Sequence, residues 1–391
     1  MIKRNVEREL SSLAKQYPVL LITGPRQSGK TTLCQKAFSK KAYVSLEAPE
    51  SREYAVNDPK GFLRQYPNGA IIDEVQRAPE LASYIQGIVD KNKTNGQFVL
   101  TGSQNFQILN TINQSLAGRS AIIDLLPFSI SEIYAVVRKM SLDDLLLNGF
   151  YPRIYDQELN PTQAMSFYFR NYVERDIRDL LKIKDLMMFE KFVRLCAGRV
   201  GQILNLTNLG NEVGISHTMA KEWLSVLQAS YIVFLLPPYY RNFNKRLIKS
   251  PKLYFYDVGL ASYLLNIEKA SQMKRDPLRG YLFENLVVME ILKKRYEKVS
   301  SNNLYFYRES NGNEIDLVLP RGDELVAIEI KAAQTINQDF FKGFLRFTKT
   351  YPEEKLDKVL VYAGEETQKR SGVKIYPFTA CQAVYDQAID S

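Results

Sequence analysis

Residues 24–31 read Gly-Pro-Arg-Gln-Ser-Gly-Lys-Thr and lie between an apolar run ending at Thr23 and a segment of helical periodicity. No other feature constrains the chain as tightly, because G-x-x-x-x-G-K-[ST] in that setting demands a strand, a tight loop and a helix in that order. Glycines let successive backbone N–H groups curl around an anion at a helix N-terminus, where the helix dipole adds a favourable field. Read so, Gly24, Pro25, Arg26, Gln27, Ser28, Gly29, Lys30, Thr31 and Thr32 form a cradle for the phosphates of ATP. Lys30 reaches the β and γ phosphates, and Thr31 offers its hydroxyl to Mg²⁺. Standing alone, the same pattern also occurs as a chance surface turn.

A second element answers that objection. Ala70-Ile71-Ile72-Asp73-Glu74 is an apolar strand ending in paired carboxylates, on the far side of one α/β crossover. Asp73 would hold the magnesium through water, and Glu74 would polarise the attacking water, since γ-phosphoryl transfer needs a positioned nucleophile more than covalent help. A third apolar strand runs into Thr101-Gly102-Ser103-Gln104, placing polar side chains at the carboxyl edge of the sheet. Ser103 is there either a sensor of the γ-phosphate or the cap of a following helix. Arg119, in Leu116-Ala117-Gly118-Arg119, is either an arginine finger or a member of a structural ion pair.

With 391 residues, 45% of them hydrophobic, the chain can bury several cores. Apolar runs at 19–23, 42–46, 70–72, 97–101 and 121–125 alternate with helical segments, the rhythm of a parallel α/β sheet. Residues 129–199 change to helical periodicity. Around 204–227 a short helix, Gly214-Ile215 and a helix capped by Ser216 make a helix-turn-helix, and strands at 231–236 and 254–256 complete a winged form. From 271 the pattern is α/β again, with a helix at 283–295, strands at 304–308, 315–319, 325–332 and 358–362, and a helix at 339–351. The expected division is a P-loop core over 1–128, a helical lid over 129–199, a winged helix over 200–270 and a C-terminal α/β domain over 271–391.

Taken in order, several stretches resemble one family: bacterial and archaeal AAA+-type ATPases that carry a C-terminal domain of unknown function with a PD-(D/E)xK-like fold. They are residues 21–32, 71–79 and 116–119, Leu126-Pro127-Phe128-Ser129, Gly149-Phe150-Tyr151-Pro152, Tyr172-Val173-Glu174-Arg175-Asp176 and residues 252–260. The resemblance spans nearly the whole chain and implies architecture rather than biological role.

Glu314-Ile315-Asp316-Leu317-Val318-Leu319, a turn at Arg321-Gly322 and Ala327-Ile328-Glu329-Ile330-Lys331 resemble the core of a PD-(D/E)xK nuclease. The geometry can be worked out independently. Pairing the strands about Arg321-Gly322 sets Asp316 opposite Ala327, so Asp316, Glu329 and Lys331 share one face. Such a patch suits Mg²⁺, whose bound water can attack a phosphodiester with Lys331 assisting, and Glu284 on the preceding helix could join from the side. Arg308 and Lys342 add basic surroundings. The competing reading is an amphipathic hairpin that shows its charges to solvent.

The formal charge is +9 and the isoelectric point about 9.1. Residues 237–252 hold Arg241, Lys245, Arg246, Lys249 and Lys252 with no acid, interleaved with Tyr239, Tyr240 and Phe243. That composition fits a nucleic-acid strip, with DNA as the expected partner, or a subunit interface. The second helix of the helix-turn-helix offers only His217 and Lys221 for base reading. Three scattered cysteines and a single histidine argue against zinc, disulfides and Ser-His-Asp catalysis. A charged N-terminus and an apolar maximum of only 231–238 give neither signal peptide nor membrane span, so a cytoplasmic setting is expected. The combined expectation is an ATP hydrolase, assembling as a ring of identical subunits, that couples nucleotide state to DNA binding or processing. The alternative is an ATP-controlled oligomeric switch whose nuclease-like domain binds without cleaving. A nucleotide kinase fits less well, for want of an acceptor pocket motif.

Overall fold

Five apolar segments of the N-terminal third pair side by side in parallel, in the order 42–45, 70–73, 98–101, 19–23 and 120–124, in a computed structural model of the chain. The structure describes residues 2–102, 114–137, 139–177, 185–239, 249–310, 312–352 and 355–386, the side chains of 174–177 excepted. By contact it falls into two units: residues 1–128 with 151–156 and 296–300, and residues 129–150 with 157–295 and 301–391. The three segments expected as lid, winged helix and C-terminal domain thus share the second unit, apart from the two short pieces that belong to the first.

In the first unit, β1 is Val19–Thr23, β2 Ala42–Ser45, β3 Ala70–Asp73, β4 Phe98–Thr101 and β5 Ser120–Asp124. Alternate strand residues point to opposite faces. Leu21, Ile72 and Leu100 meet Phe62, Leu81 and Ile85 on one side, and Leu20, Ile22, Ile71 and Val99 meet Leu10, Leu33 and Cys34 on the other. Burial on both faces is why these strands read as continuous apolar runs instead of alternating ones. The path from β1 to β3 is longer than the single crossover expected, because the chain first lays down β2 and the helices Pro49–Asn57 and Pro59–Arg64. In space β4 lies between β1 and β3, which places its terminal Thr101 between the loop after β1 and the acids after β3.

The second unit contains the helices Leu142–Asn148, Pro161–Tyr168 and Leu186–Ala197, and a π-helical segment over Phe169–Ile177 where ordinary helix was expected. Helices Leu206–Val213 and His217–Ala229 follow, the second capped by the Ser216 hydroxyl, which accepts from the Met219 N–H at 3.2 Å. β6 (Val233–Leu236) then pairs antiparallel with β7 (Lys252–Phe255). Most of the basic strip, residues 240–248, lies outside the described residues. Lys252 does not belong to an exposed strip, being only 2% exposed.

A six-stranded sheet closes the unit, in the order β12-β13-β11-β10-β9-β8, with β8 at Tyr305–Arg308, β9 at Glu314–Arg321, β10 at Glu324–Lys331, β11 at Lys355–Tyr362, β12 at Gln368–Arg370 and β13 at Val373–Pro377. β12 and β13 were not expected, since Gln-Lys-Arg carries no strand signal and Val-Lys-Ile-Tyr-Pro is short. The β9–β10 register differs from the sequence expectation. Arg321 pairs with Glu324 and Leu317 with Ile328, so one further step sets Asp316 across from Glu329 rather than Ala327. The turn is Gly322-Asp323, which shifts the pairing by two residues and keeps the same side chains on the same face.

Buried polar ties knit this unit across long sequence distances. Asp257 accepts from Gly259 N–H at 2.9 Å and Leu260 N–H at 3.2 Å, capping the helix Val258–Leu264, and also from Phe150 N–H at 2.7 Å. Glu290 accepts from Ile130 N–H at 2.9 Å and from the Lys293 ammonium at 2.8 Å, which lies 3.8 Å from the Phe150 ring centre. Gly149, at φ 64° and ψ −155°, occupies a backbone region nearly restricted to glycine, and a Cβ there would collide with Asp257 Oδ1. Gly149→Ala should therefore cost about 2–3 kcal/mol in the urea unfolding of this unit. Gly214→Ala, at φ 94° but with open space around it, should cost only about 1 kcal/mol.

Candidate nucleotide site and carboxylate cluster

The loop after β1 begins with a close approach. Gly24, at φ 140°, runs so near the Leu125 carbonyl that a side chain there would strike it, so only glycine lets the loop leave the strand at this point. The helix Lys30–Ala37 starts directly from Gly29 at φ 88°. Within the loop Ser28 is fully buried, and its hydroxyl has no hydrogen-bonding partner among the described residues. Lys30 is 6% exposed, and its ammonium donates to the Gly24 carbonyl at 3.0 Å and the Pro25 carbonyl at 2.7 Å. Burial pushes that ammonium down to about 8, against the pull of Glu74 and Asp73. The loop therefore holds a poorly solvated cation and an unused hydroxyl, both of which an anionic phosphate would satisfy.

Asp73 gathers three hydroxyls at the carboxyl edge of the sheet. Its Oδ2 accepts from Thr31 Oγ1 at 3.0 Å and from the Tyr43 hydroxyl at 2.9 Å, and its Oδ1 accepts from Thr101 Oγ1. Thr31 and Asp73 are brought together as the sequence predicts. Hard oxygen donors at this spacing suit a magnesium ion. Tyr43 was missed because nothing in a β2 sequence of Ala-Tyr-Val-Ser distinguishes a functional ring from an edge residue. Burial, then Asp73, pushes its phenol up to about 12. Glu74 follows at φ 58°, a left-handed turn that ends the strand, and its carboxylate accepts from the Gln76 amide. Ser103 lies outside the described residues.

Arg119 stands elsewhere. Its Nε and Nη2 fork onto the Asp90 carboxylate at 2.5 and 2.9 Å, and its Nη1 donates to the Ala117 carbonyl at 3.0 Å. It precedes β5, whose Ser120 pairs with Val19 at the start of β1, whereas the phosphate loop follows the end of β1. In a parallel sheet those are opposite edges, about 16 Å apart over a five-residue strand. Within its own chain Arg119 cannot reach the loop.

In the second unit, Asp316, Glu329 and Lys331 do converge, and they are not solvent-facing. Asp316 is 8% and Glu329 5% exposed, which removes the amphipathic-hairpin alternative. The Lys331 ammonium lies 3.0 Å from Asp316 Oδ2 and 2.6 Å from Glu329 Oε2, and Ile330 N–H donates to Asp316 Oδ2 at 2.7 Å. Burial and the neighbouring Asp316 push Glu329 up to about 8. Asp316 is instead held below its usual range, burial being outweighed by Lys331 and Lys252. Glu284 is present, but its carboxylate is taken by Lys252 at 2.8 Å and by the Tyr254 hydroxyl at 2.5 Å. Lys252 also reaches Glu314 at 2.5 Å, and Glu314 in turn accepts from Arg308 at 2.7 Å. Lys342 is exposed and pairs with Asp339. The group borders a cavity of about 600 Å³ lined by Gln202, Tyr281, Glu314, Asp316 and Lys331 among others. Among the described residues no three of His, Cys, Asp and Glu come together in a metal-holding group. Here lysines stand where a cation would.

Sequence comparison matches three consecutive stretches of the chain to families. The AAA domain family matches residues 16–134, and two families described only as domains of unknown function, DUF8612 and DUF4143, match residues 139–271 and 279–381. The first unit is therefore an α/β domain with the fold of an AAA-type P-loop ATPase. Uncharacterized proteins Rv2008c of Mycobacterium tuberculosis and Mb2031c of Mycobacterium bovis are each 28% identical over 344 residues, covering 85% of this chain and 74% of theirs. Among solved structures, the Walker-type ATPase PABY2304 of Pyrococcus abyssi aligns at a TM-score of 0.46 and 12% identity, over 68% of this chain and 96% of its own. AMPPCP-bound DnaA from Aquifex aeolicus aligns at 0.31 and 16% identity, over 57% and 85%. No described helix is long and apolar enough to cross a membrane.

Removing the cation that the carboxylates share tests the electrostatics. Lys252→Met leaves Glu284 and Glu314 without their common counter-charge in a buried setting, and should lower stability by about 3–5 kcal/mol in urea unfolding. Pairing it with Glu284→Gln should restore part of that loss.

Proposed function

We propose that the chain binds and hydrolyses ATP in its first unit and uses the nucleotide state to control a DNA-binding second unit. The observation that carries the first half is the meeting, around one loop, of buried Lys30, the Thr31–Asp73 pair and the Ser28 hydroxyl, which has no partner among the described residues. Backbone N–H groups of the loop and Lys30 bind the phosphates. Thr31 and Asp73 would hold magnesium, which when bound neutralises charge on the β and γ oxygens. Glu74 accepts a hydrogen bond from a water and orients its oxygen toward the γ phosphorus. As the water oxygen bonds to phosphorus, the bond to the bridging oxygen breaks, and the water proton leaves toward Glu74. Ser103, two residues past Thr101 in the sequence, is the proposed sensor of the γ-phosphate. Within its own chain Arg119 forms the structural ion pair with Asp90, so the arginine-finger role belongs to the proposed ring of identical subunits, where it would act toward the site of a neighbouring copy.

For the second unit, residues 200–270 supply a winged helix and residues 271–391 a PD-(D/E)xK-like domain, and the unit meets DNA through Arg241, Lys245, Arg246 and Lys249 of the basic strip as phosphate contacts. Lysines already hold each buried carboxylate of the cluster, and Glu284 is committed to Lys252 and Tyr254. This arrangement favours binding without cleavage. Cleavage is the second reading, favoured by the convergence of Asp316, Glu329 and Lys331 beside an open cavity.

Lys30→Ala should abolish ATP binding, and Glu74→Gln should keep binding while slowing hydrolysis by about two or more orders of magnitude in a phosphate-release assay. Arg119→Ala should bind ATP normally but hydrolyse slowly, and mixing it with Lys30→Ala should recover activity at interfaces between the two variants. Equal hydrolysis by wild type and Glu74→Gln would remove Glu74 from its role. Single-stranded, duplex and branched DNA should bind but stay intact with Mg²⁺ or Mn²⁺. Cleavage lost in Asp316→Asn would establish the nuclease instead.

A further inference from the structure

Arg4 lies far from the phosphate loop in sequence and carries no motif, yet it is 8% exposed and its guanidinium donates to two backbone carbonyls. Its Nη1 donates to the Ser28 carbonyl at 2.7 Å and its Nη2 to the Leu126 carbonyl at 2.7 Å. The Phe128 ring lies beneath it, 5.0 Å from the guanidinium carbon to the ring centre. Its own backbone N–H donates to Glu7, and Glu7 pairs at 2.8 Å with Lys36 of the helix that follows the loop. A planar fork that holds two separate backbone acceptors is something only arginine offers.

The two carbonyls belong to two separate segments at the phosphate loop. Ser28 is in the loop itself. Leu126 follows Leu125, whose carbonyl crowds Gly24 at the loop's first residue. The described chain contains no cis peptide bond, so the Ser28–Gly29 unit is planar and trans. In a trans peptide the N–H points away from the carbonyl. Drawing the Ser28 carbonyl outward onto Arg4 therefore aims the Gly29 N–H inward, where the loop must donate to phosphate. A buried donor stabilises this orientation, because a carbonyl turned away from water and left unpaired costs about 1–3 kcal/mol.

We propose that Arg4 is a positioning residue of the nucleotide site: its grip on the Ser28 and Leu126 carbonyls sets the Ser28–Gly29 peptide in its phosphate-donating direction. Resting on the nucleotide reading above, this extends it to a residue outside the loop. Arg4 need not touch the nucleotide, and its effect is on affinity rather than on the chemical step. The cavity beside it, bordered by Ile2, Thr32, Leu33, Phe128 and Pro152, opens next to Gly29, so loss of the fork also frees that wall.

The test compares full-length wild type with Arg4→Ala, Arg4→Lys and Glu7→Gln, titrating each with ATP and ADP in Mg²⁺ by calorimetry and melting each without nucleotide. Arg4→Ala should bind both nucleotides at least about tenfold more weakly, the worth of a charged hydrogen bond. Arg4→Lys, whose ammonium reaches one carbonyl at a time, should lose about half of that on a logarithmic scale. Glu7→Gln, which loosens the N-terminal segment without touching either carbonyl, should keep affinity within about twofold of wild type even where its melting point falls. With saturating ATP, turnover of Arg4→Ala should stay near that of wild type, placing the defect in binding. Unchanged affinity in Arg4→Ala, or in Arg4→Lys should the alanine variant not fold, overturns the proposal. So does an affinity loss in Glu7→Gln matching that of Arg4→Ala, which would make Arg4 ordinary packing. Failure of the wild type to bind either nucleotide would remove the site and this inference together, an outcome distinct from wild-type binding with indifferent variants.

Discussion

The arrangement of the first unit depends on one carboxylate. Asp73 ends β3 with its two oxygens shared among Thr31, Thr101 and Tyr43, each carried by a different element. A buried carboxylate needs such donors to offset its lost hydration, and here they come from the loop helix, the intervening strand and the neighbouring edge strand. That requirement fixes how far each strand extends. β4 has to end in a small hydroxyl because it lies between β1 and β3, and β2 has to present a residue long enough to reach across from the side. The chain's parallel order thus serves the site as much as the core.

The second unit shows the same economy with opposite signs. Lys252, Lys331, Arg308 and Lys293 each face one or more buried or half-buried acids, so the unit's positive charge is partly internal. Net charge read from composition overstates what a polyanion would meet, because a lysine such as Lys252 is unavailable to a phosphate. Buried pairs of this kind add little net stability over apolar packing but are costly to break singly, so they specify one arrangement of strands and helices.

Much of this was legible in the residues. The glycines and lysine of residues 24–31, the strand ending in Asp73-Glu74 and the apolar runs of the sheet carry short-range signals that survive without tertiary context. The facial alignment of Asp316, Glu329 and Lys331 was also readable, since strand period alone dictates it, and a pairing error of two residues left it intact. Other features have no local signature. Tyr43 and Arg4 are ordinary letters in ordinary segments, and their roles come from what lies beside them in space. Lys252 read as part of a basic run because sequence neighbours, not spatial ones, define a run. The π-helical turn over Phe169–Ile177 and the polar edge strand β12 are set by packing and pairing rather than by propensity.

The first unit is not one continuous stretch of chain. After β5 the polypeptide leaves it at residue 128, returns for residues 151–156 and again for 296–300. The first return sets Pro152 3.8 Å from where a side chain on Gly29 would begin, and Tyr155 6.5 Å, centre to centre, from the Phe128 ring. A fragment cut at residue 128 would therefore carry the complete phosphate motif and still lack part of the wall around it. No single junction in the chain therefore separates the two units, since residues 151–156 and 296–300 of the first are carried within the sequence of the second.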